Sequence, residues 1–160
     1  MSDRIPLSNP GVVVPPPLFF VAGLVAGWLM NRFVVALPIP GDGRGLGSLL
    51  GGGLVAVGVA LTLSGFATFF RARTAIVPHR SASRLVVSGP YRFTRNPMYT
   101  GLTIAYVGAS LLLGTAWPVI LLPIVLLIVV RFVIQREERY LLDAFGSEYA
   151  AYCARVGRWV

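Results

Sequence analysis

Residues 98–134 read MYTGLTIAYVGASLLLGTAWPVILLPIVLLIVVRFVI, and this stretch decides the fold. It holds two apolar runs, Met98 to Leu113 and Trp117 to Ile134, parted only by Gly114-Thr115-Ala116, and its one charged residue is Arg131. At about 1.5 Å of rise per residue the second run crosses most of a hydrocarbon core about 30 Å thick. A three-residue joint forces the two helices to double back, which predicts a tight antiparallel hairpin in a membrane. The first run is short for a span. Its helix is therefore expected to start below the bilayer surface, leaving Asn96-Pro97 in a recess.

Upstream lie two more apolar runs, Leu18 to Leu37 and Leu49 to Phe70. Asn31 and Arg32 fall toward the far end of the first, where snorkelling to the interface is expected. The second carries Gly51, Gly52, Gly53, Gly58, Ser64 and Gly65, small surfaces suited to close helix contact. Pro38 to Gly47 between them (PIPGDGRGLG) is a polar turn; no strand precedes it, so its glycines are not a nucleotide loop. The first seventeen residues hold five prolines and no basic region followed by a small-residue cleavage site, so no cleaved signal is expected.

The whole composition agrees. Of 160 residues, 56% are hydrophobic and 12% charged, which excludes an ordinary soluble domain. The net charge of +8 comes entirely from arginine, since there is no lysine. Lysine-centred chemistry is therefore excluded, and every cation is planar and permanently charged. These arginines flank apolar spans, so anionic head groups are nearer partners than nucleic acid. Arg71, Arg73, Arg80, Arg84, Arg92 and Arg95 stand in one connection without an acid, which assigns that loop to the cytoplasm, and both termini with it. A single histidine, His79, and a single cysteine, Cys153, exclude a His-based metal site and an internal disulfide. A packed thiol is the expected state of Cys153.

The polar detail is concentrated between Arg84 and Gly101, RLVVSGPYRFTRNPMYTG. Ser88-Gly89-Pro90 marks a turn, and Asn96-Pro97 marks a helix start with Asn at the cap and Pro at the first helical position. The free N–H groups of that first turn, with Arg92 and Arg95, suit a carboxylate or phosphate, and Tyr91, Phe93 and Tyr99 add flat faces beside it. A basic, aromatic loop that only anchors the chain at the interface has the same composition.

Past the hairpin, Gln135-Arg136-Glu137-Glu138-Arg139 contains no breaker, so the last helix is expected to run on and end near Phe145-Gly146. Leu141, Phe145, Tyr149, Tyr152 and Val156 recur at three- and four-residue steps as an apolar stripe that should fold back as a cap. The hairpin brings Glu137 and Glu138 near Tyr91, Arg95, Asn96 and Tyr99. Two readings follow from that meeting: a site gripping a zwitterionic, ring-bearing ligand by both ends, or a solvated ion-pair layer among Glu137, Glu138, Arg136, Arg139 and the loop arginines.

GPYRFTRNPMY preceded by LVVS, the hairpin, and REERYLLDAFGSEYAAY together resemble the isoprenylcysteine carboxyl methyltransferase and phospholipid methyltransferase family of membrane enzymes. The likeness runs from about Arg73 to Trp159 and takes in Thr74 and Pro78. It implies S-adenosylmethionine as methyl donor, bound in a cytoplasmic cap above a lipid-accessible helical cavity. Cofactor contacts are implied at Ser83, Arg84, Leu85, Val86, Tyr91, Asn96, Pro97, Met98, Tyr99 and Glu137, with Glu138 as second member of the glutamate pair. Two positions depart from the eukaryotic carboxyl methyltransferases. Arg95-Asn96-Pro97 replaces Arg-His-Pro, and the basic residue expected four places before Glu137 is Val133. Arg131 or Arg136 would then take the substrate role, together with Arg95.

The expectation is thus an all-α, polytopic transmembrane protein of about four spans with a C-terminal cytoplasmic helical cap. Residues 1–70 carry two spans, and 71–160 form the methyltransferase core. The function expected is methyl transfer to a lipidic or prenylated substrate, carboxyl O-methylation foremost, in the bacterial inner membrane. A phospholipid N-methyltransferase and a non-catalytic membrane scaffold of the same fold are the alternatives.

Overall fold

A computed structural model describes residues 14–39, 45–72 and 85–159, and in them every extended element is helical. The order is α1 (Pro17–Phe33), α2 (Leu46–Arg71), a 3-10 turn (Gly89–Arg92), α3 (Pro97–Leu112), α4 (Trp117–Val129), a π-helical segment (Val130–Ile134) and α5 (Gln135–Arg155). Two helices are long and apolar enough by length and composition to cross a membrane. They are α2 and the helical run from Trp117 to Arg155. The shorter α1 is also apolar. Leucines, valines and phenylalanines of α1 and α2 point outward, among them Phe33 and Phe70 at more than 70% exposure. Such faces suit lipid and not water.

The helices meet through missing side chains. Gly51, Gly58 and Gly65 of α2 are buried at seven-residue spacing, while Gly52 and Gly53 face open space. A Cβ added at Gly51 would meet Gly108 O at 3.0 Å, one at Gly58 would meet Ala105 N at 2.5 Å and one at Gly65 Met98 Cγ at 2.6 Å. As α2 numbers rise, α3 numbers fall, so the pair is antiparallel with backbones nearly touching. Thr62 bridges it by donating to its own helix at Gly58 O (2.9 Å) and to Met98 O (3.3 Å). The same device joins α1 to α4, where Gly27 lies against Pro118 and Gly23 against Val125. The expected hairpin partner of α3 is α4, yet α3 packs most extensively on α2, and α4 on α1. Glycine explains the difference, because α4 is lined with bulky leucine, isoleucine and valine that hold it farther off.

Polar links tie α3 to the joint, to α4 and to α5. Ser110 Oγ donates to Thr115 O (2.6 Å), Tyr106 Oη to Pro118 O (2.8 Å) and Tyr99 Oη to Glu137 Oε1 (2.8 Å). Around Tyr99 and Tyr106, Phe20, Val125, Val129, Val133 and Ile134 form the main core. At the opposite end from Glu137, residues 35–39 clip onto the α3–α4 joint. Ala116 N donates to Leu37 O (2.9 Å), Ile39 N to Gly114 O (3.1 Å) and Trp117 Nε1 to Val35 O (2.7 Å).

Several sequence expectations shift by local chemistry. The first apolar run is helical only to Phe33; Asn31 Oδ1 then accepts from Leu37 N (2.9 Å), and Arg32 lies over the Phe33 ring. Asn96 and Pro97 do start α3, but the Asn96 side chain caps nothing. Its amide donates instead to Arg158 O (2.9 Å), while Asn96 O accepts from Thr100 N. The helix that opens at Gln135 ends, as expected, at Gly146, whose φ of +50° breaks it, and a second helical stretch then runs to Arg155. Glycine takes that left-handed angle at no steric cost. The break lets the second half swing back, and Tyr149 and Tyr152 close over Leu85 with Leu141, Phe145 and Val156 around them. This is the expected stripe, and Leu85 is what it covers.

Candidate functional site

The first turn of α3 and the first turn of α5 face each other because Tyr99 spans them. Its ring is buried at 6% exposure and its hydroxyl reaches Glu137. Glu137 lies beyond the apolar stretch of its helix, and burial of its carboxyl pushes it up to about 7. The Tyr99 hydrogen bond opposes that rise, and the charge of Glu138 adds to it. Tyr91, on the 3-10 turn, completes this side. It is as buried as Tyr99, stacks edge-on to Phe69 at 5.3 Å, and is held through its carbonyl by Tyr152 Oη (2.7 Å). Burial, with the Glu137 charge second, drives its phenol well above the usual range. Yet the Tyr91 hydroxyl is buried without a hydrogen-bond partner among the described residues. A buried unpaired hydroxyl costs about 1–3 kcal/mol, a cost that a bound ligand can relieve.

Glu138 serves a different set. Consecutive helical residues point about 100° apart, so adjacent glutamates cannot share one ligand edge-on. Arg158 grips Glu138 with a fork, Nε to Oε1 at 2.9 Å and Nη2 to Oε2 at 2.7 Å. Arg95 Nη1 stands 3.2 Å from Oε1 and donates to Cys153 Sγ at 2.9 Å. Arg95 Nε is buried without a partner among the described residues. The expected ion-pair layer thus exists around Glu138, through Arg95 and Arg158. Arg139 does not join it; its Nε turns back to Gln135 O (3.1 Å).

Beside this ion pair runs an open groove of about 940 Å³. Arg95, Glu138, Tyr149 and Cys153 line it together with Arg131, Phe132, Arg136 and Arg139. Four arginines against one carboxylate make it a place for an anion, and Phe132 and Leu142 give it apolar surface. The three expected substrate arginines, Arg95, Arg131 and Arg136, are brought together here. Val133, at the position where the eukaryotic carboxyl methyltransferases carry a basic residue, is 1% exposed in the core and cannot reach the groove. The π-helical segment Val130–Ile134 sets this division, turning Val133 and Ile134 inward and leaving Arg131 and Phe132 outside. Such one-turn π segments are frequent at functional sites.

Among the expected cofactor residues, Tyr91, Tyr99 and Glu137 cluster. Asn96 and Pro97 are buried at the helix start beside them, with Met98 next in the chain packed toward Gly65. Leu85 and Val86 are buried, Leu85 under the cap. Ser83 and Arg84, like His79, Thr74 and Pro78, lie outside the described residues. Sequence reasoning missed Arg158. Its carbonyl takes Thr94 Oγ1 (3.0 Å) and Asn96 Nδ2 (2.9 Å), and Gly157 O takes Arg95 N (2.9 Å), so the chain's end is stitched to the entry of α3. The one available signal was a basic residue between Gly157 and Trp159 in an otherwise spent tail.

The family pattern described as phospholipid methyltransferase matches residues 46–148. The chain is 37% identical over 75 residues to a Schizosaccharomyces pombe protein named protein-S-isoprenylcysteine O-methyltransferase, covering 45% of this chain and 30% of that one. Arabidopsis thaliana protein-S-isoprenylcysteine O-methyltransferase B is 37% identical over 76 residues, covering 46% of this chain and 37% of that one. The chain therefore spans about a third of the length of these two relatives. It also matches the whole of an uncharacterized Haemophilus influenzae protein, at 36% identity over 63 residues and 39% of this chain. No solved structure matches.

Proposed function

The chain belongs to the phospholipid methyltransferase family, and from that membership we propose that it is an integral membrane methyltransferase using S-adenosylmethionine on a lipidic or prenylated acceptor. Carboxyl O-methylation is the reaction favoured. The observation that carries this reading is the pair of buried unpaired groups, the Tyr91 hydroxyl and Arg95 Nε, on the two sides of the Glu137-Glu138 step. One side is acidic and aromatic, the other basic and open. A cationic donor and an anionic acceptor are complementary to such a division.

The residues fit the cofactor. Glu137, with Tyr91 and Tyr99, offers a carboxylate and two phenols to its cationic and hydroxyl groups. Bound there, S-adenosylmethionine supplies an electrophilic methyl group on a sulfonium. Leu85, Val86, Asn96, Pro97 and Met98 are the proposed remaining contacts, with Ser83 and Arg84 upstream. Glu138 belongs to the boundary, where it fixes Arg95. The chain's own contribution is alignment and exclusion of water. Arg95, Arg131 and Arg136 hold the acceptor's anion in the groove, and the cap closed by Tyr149 and Tyr152 shields one side.

The proposed topology is four spans, with α3 and α4 as an antiparallel hairpin, residues 1–70 outside the core, and 71–160 as the catalytic unit. Both termini and the arginine-rich connection face the cytoplasm, in a bacterial inner membrane. A reporter fused after Val160 and active only outside the membrane would overturn that orientation. The function itself is tested by titrating purified protein in detergent with S-adenosylmethionine. Saturable binding is expected, and its absence at millimolar cofactor defeats the reading in favour of a scaffold.

A further inference from the structure

Arg158 belongs to no part of the site as the sequence presents it, yet it controls the partner of Arg95. Glu138 has two carboxylate oxygens and three guanidinium contacts. Arg158 takes both oxygens at 2.7 and 2.9 Å, and Arg95 shares Oε1 at 3.2 Å. The other contact of the same Arg95 Nη1 is Cys153 Sγ at 2.9 Å, on the groove wall. Arg95 thus stands between a carboxylate already satisfied by another cation and a sulfur that lines the groove. Removing Arg158 leaves Arg95 as the remaining cation on Glu138 in this set, and the attraction that the two arginines share would fall on Arg95 alone. We propose that Arg158 is a positioning residue, which by saturating Glu138 keeps Arg95 turned toward the groove wall, where it meets the anionic group of the acceptor. The role of Arg95 toward the acceptor rests on the function proposed above; the charge relay from Arg158 to Arg95 does not.

The geometry allows side chain and fold to be separated. The tail is docked by backbone atoms, because Thr94 and Asn96 donate to the Arg158 carbonyl and Arg95 N donates to Gly157 O. Substituting the Arg158 side chain leaves those bonds available. Cys153 is the chain's single cysteine and is half-buried. Its reaction with uncharged iodoacetamide therefore reports the charge beside the sulfur, since the thiolate is the form that reacts.

The test measures that rate at one pH in the detergent-purified full chain, for wild type, Arg158→Gln, Arg158→Lys and Glu138→Gln. Arg158→Gln removes a positive charge and draws Arg95 off the sulfur, so labelling slows about threefold or more. Glu138→Gln removes the negative charge and leaves Arg95 to the sulfur, so labelling speeds by a similar factor. Arg158→Lys keeps the charge and falls nearer wild type than Arg158→Gln. Opposite signs for two members of one ion pair are what a loosened fold does not produce, since loosening exposes the thiol in both. Equal rates in all four proteins, or acceleration in both neutral variants, overturns the proposal. A second arm uses methyl-labelled S-adenosylmethionine and a synthetic S-prenylated N-acetylcysteine: Arg158→Gln is expected to raise the acceptor's KM several-fold, and a loss confined to kcat overturns the role. Should the cofactor fail to bind wild type at all, the function falls while the labelling result still decides the positioning.

Discussion

The hydroxyl of Tyr99 and the carboxylate of Glu137, 38 residues apart in sequence, are 2.8 Å apart in space, and this bond fixes the start of α3 against the start of α5. It is the side-chain hydrogen bond that Glu137 makes among the described residues. It leaves most of that carboxylate's capacity to accept hydrogen bonds for a ligand.

Replacing Glu137 by Ala should therefore weaken S-adenosylmethionine binding by about ten- to a hundred-fold. That corresponds to the loss of one partner in a charged, partly desolvated hydrogen bond, about 1.5–3 kcal/mol. Asp143, farther along α5 and exposed, serves as the control, and its Ala variant should bind as wild type does. Titration of both variants checks this; equal affinity for Glu137→Ala and wild type removes Glu137 from the cofactor site.

The α2–α3 contact gives a prediction about stability. A Cβ at Gly58 would sit 2.5 Å from Ala105 N and closer still to Gly101 O, and neither backbone atom can step aside as a flexible side chain would. Gly58→Ala should lower stability by about 1–3 kcal/mol, in the range of overpacking. Gly53→Ala, with open space around it, should not lower stability. Thermal unfolding of the two variants in the same detergent compares them, and equal midpoints would mean the helices do not approach so closely.

Much of this architecture was legible in the chain. Pro97 and Trp117 open helices where expected, and the three- and four-residue steps from Leu141 to Val156 form the cap. The glycines of α2 announced a close contact, but its partner went unread; Gly101 and Gly108, seven apart like Gly51, Gly58 and Gly65, were the signal that could have named α3. The π segment left no trace, because in a run as uniformly apolar as Trp117 to Ile134 no period distinguishes one helical winding from another. Asn96 illustrates the other limit. Its position at the cap follows from the residue before proline, but the use of its side chain depends on Arg158, which only the folded chain brings within reach. The adjacent glutamates could have been separated from helical geometry alone, since neighbours on a helix face different ways.

Glu137 also predicts a pH dependence. Its folded-state value of about 7 lies above the ordinary carboxylate range because burial disfavours the charge. A group raised in this way favours folding while protonated. In the ligand-free protein its contribution is full below about pH 4.5 and is lost as the pH rises through 7. A cationic ligand reverses the preference, since it binds the ionised form. S-adenosylmethionine affinity should therefore rise between pH 6 and 8 in wild type and stay flatter in Glu137→Gln. Parallel pH profiles for the two proteins would show that Glu137 does not titrate with binding.

The acceptor's nucleophile is predicted to be a carboxylate and not an amine. An alkyl amine with a value near that of a lysine side chain, about 10.4, is mostly protonated at neutral pH and must lose a proton before it attacks. A carboxylate needs no base. Within the groove the one carboxylate is Glu138, and Arg158 and Arg95 already hold it; Glu137, whose value near 7 would suit a base, does not line the groove. The groove's cations, Arg95, Arg131, Arg136 and Arg139, attract a carboxylate and repel an ammonium group, and no arginine can accept a proton at these pH values. The phosphate of an ethanolamine phospholipid would also be welcome among these arginines, so charge alone does not separate the two acceptors and the chemistry of the product must. A methyl ester releases volatile methanol in mild alkali, whereas an N-methyl group does not. After incubating membranes with methyl-labelled S-adenosylmethionine, the label in the lipid extract is expected to become volatile on alkaline treatment. Label that stays on an amine through that treatment would assign phospholipid N-methylation instead.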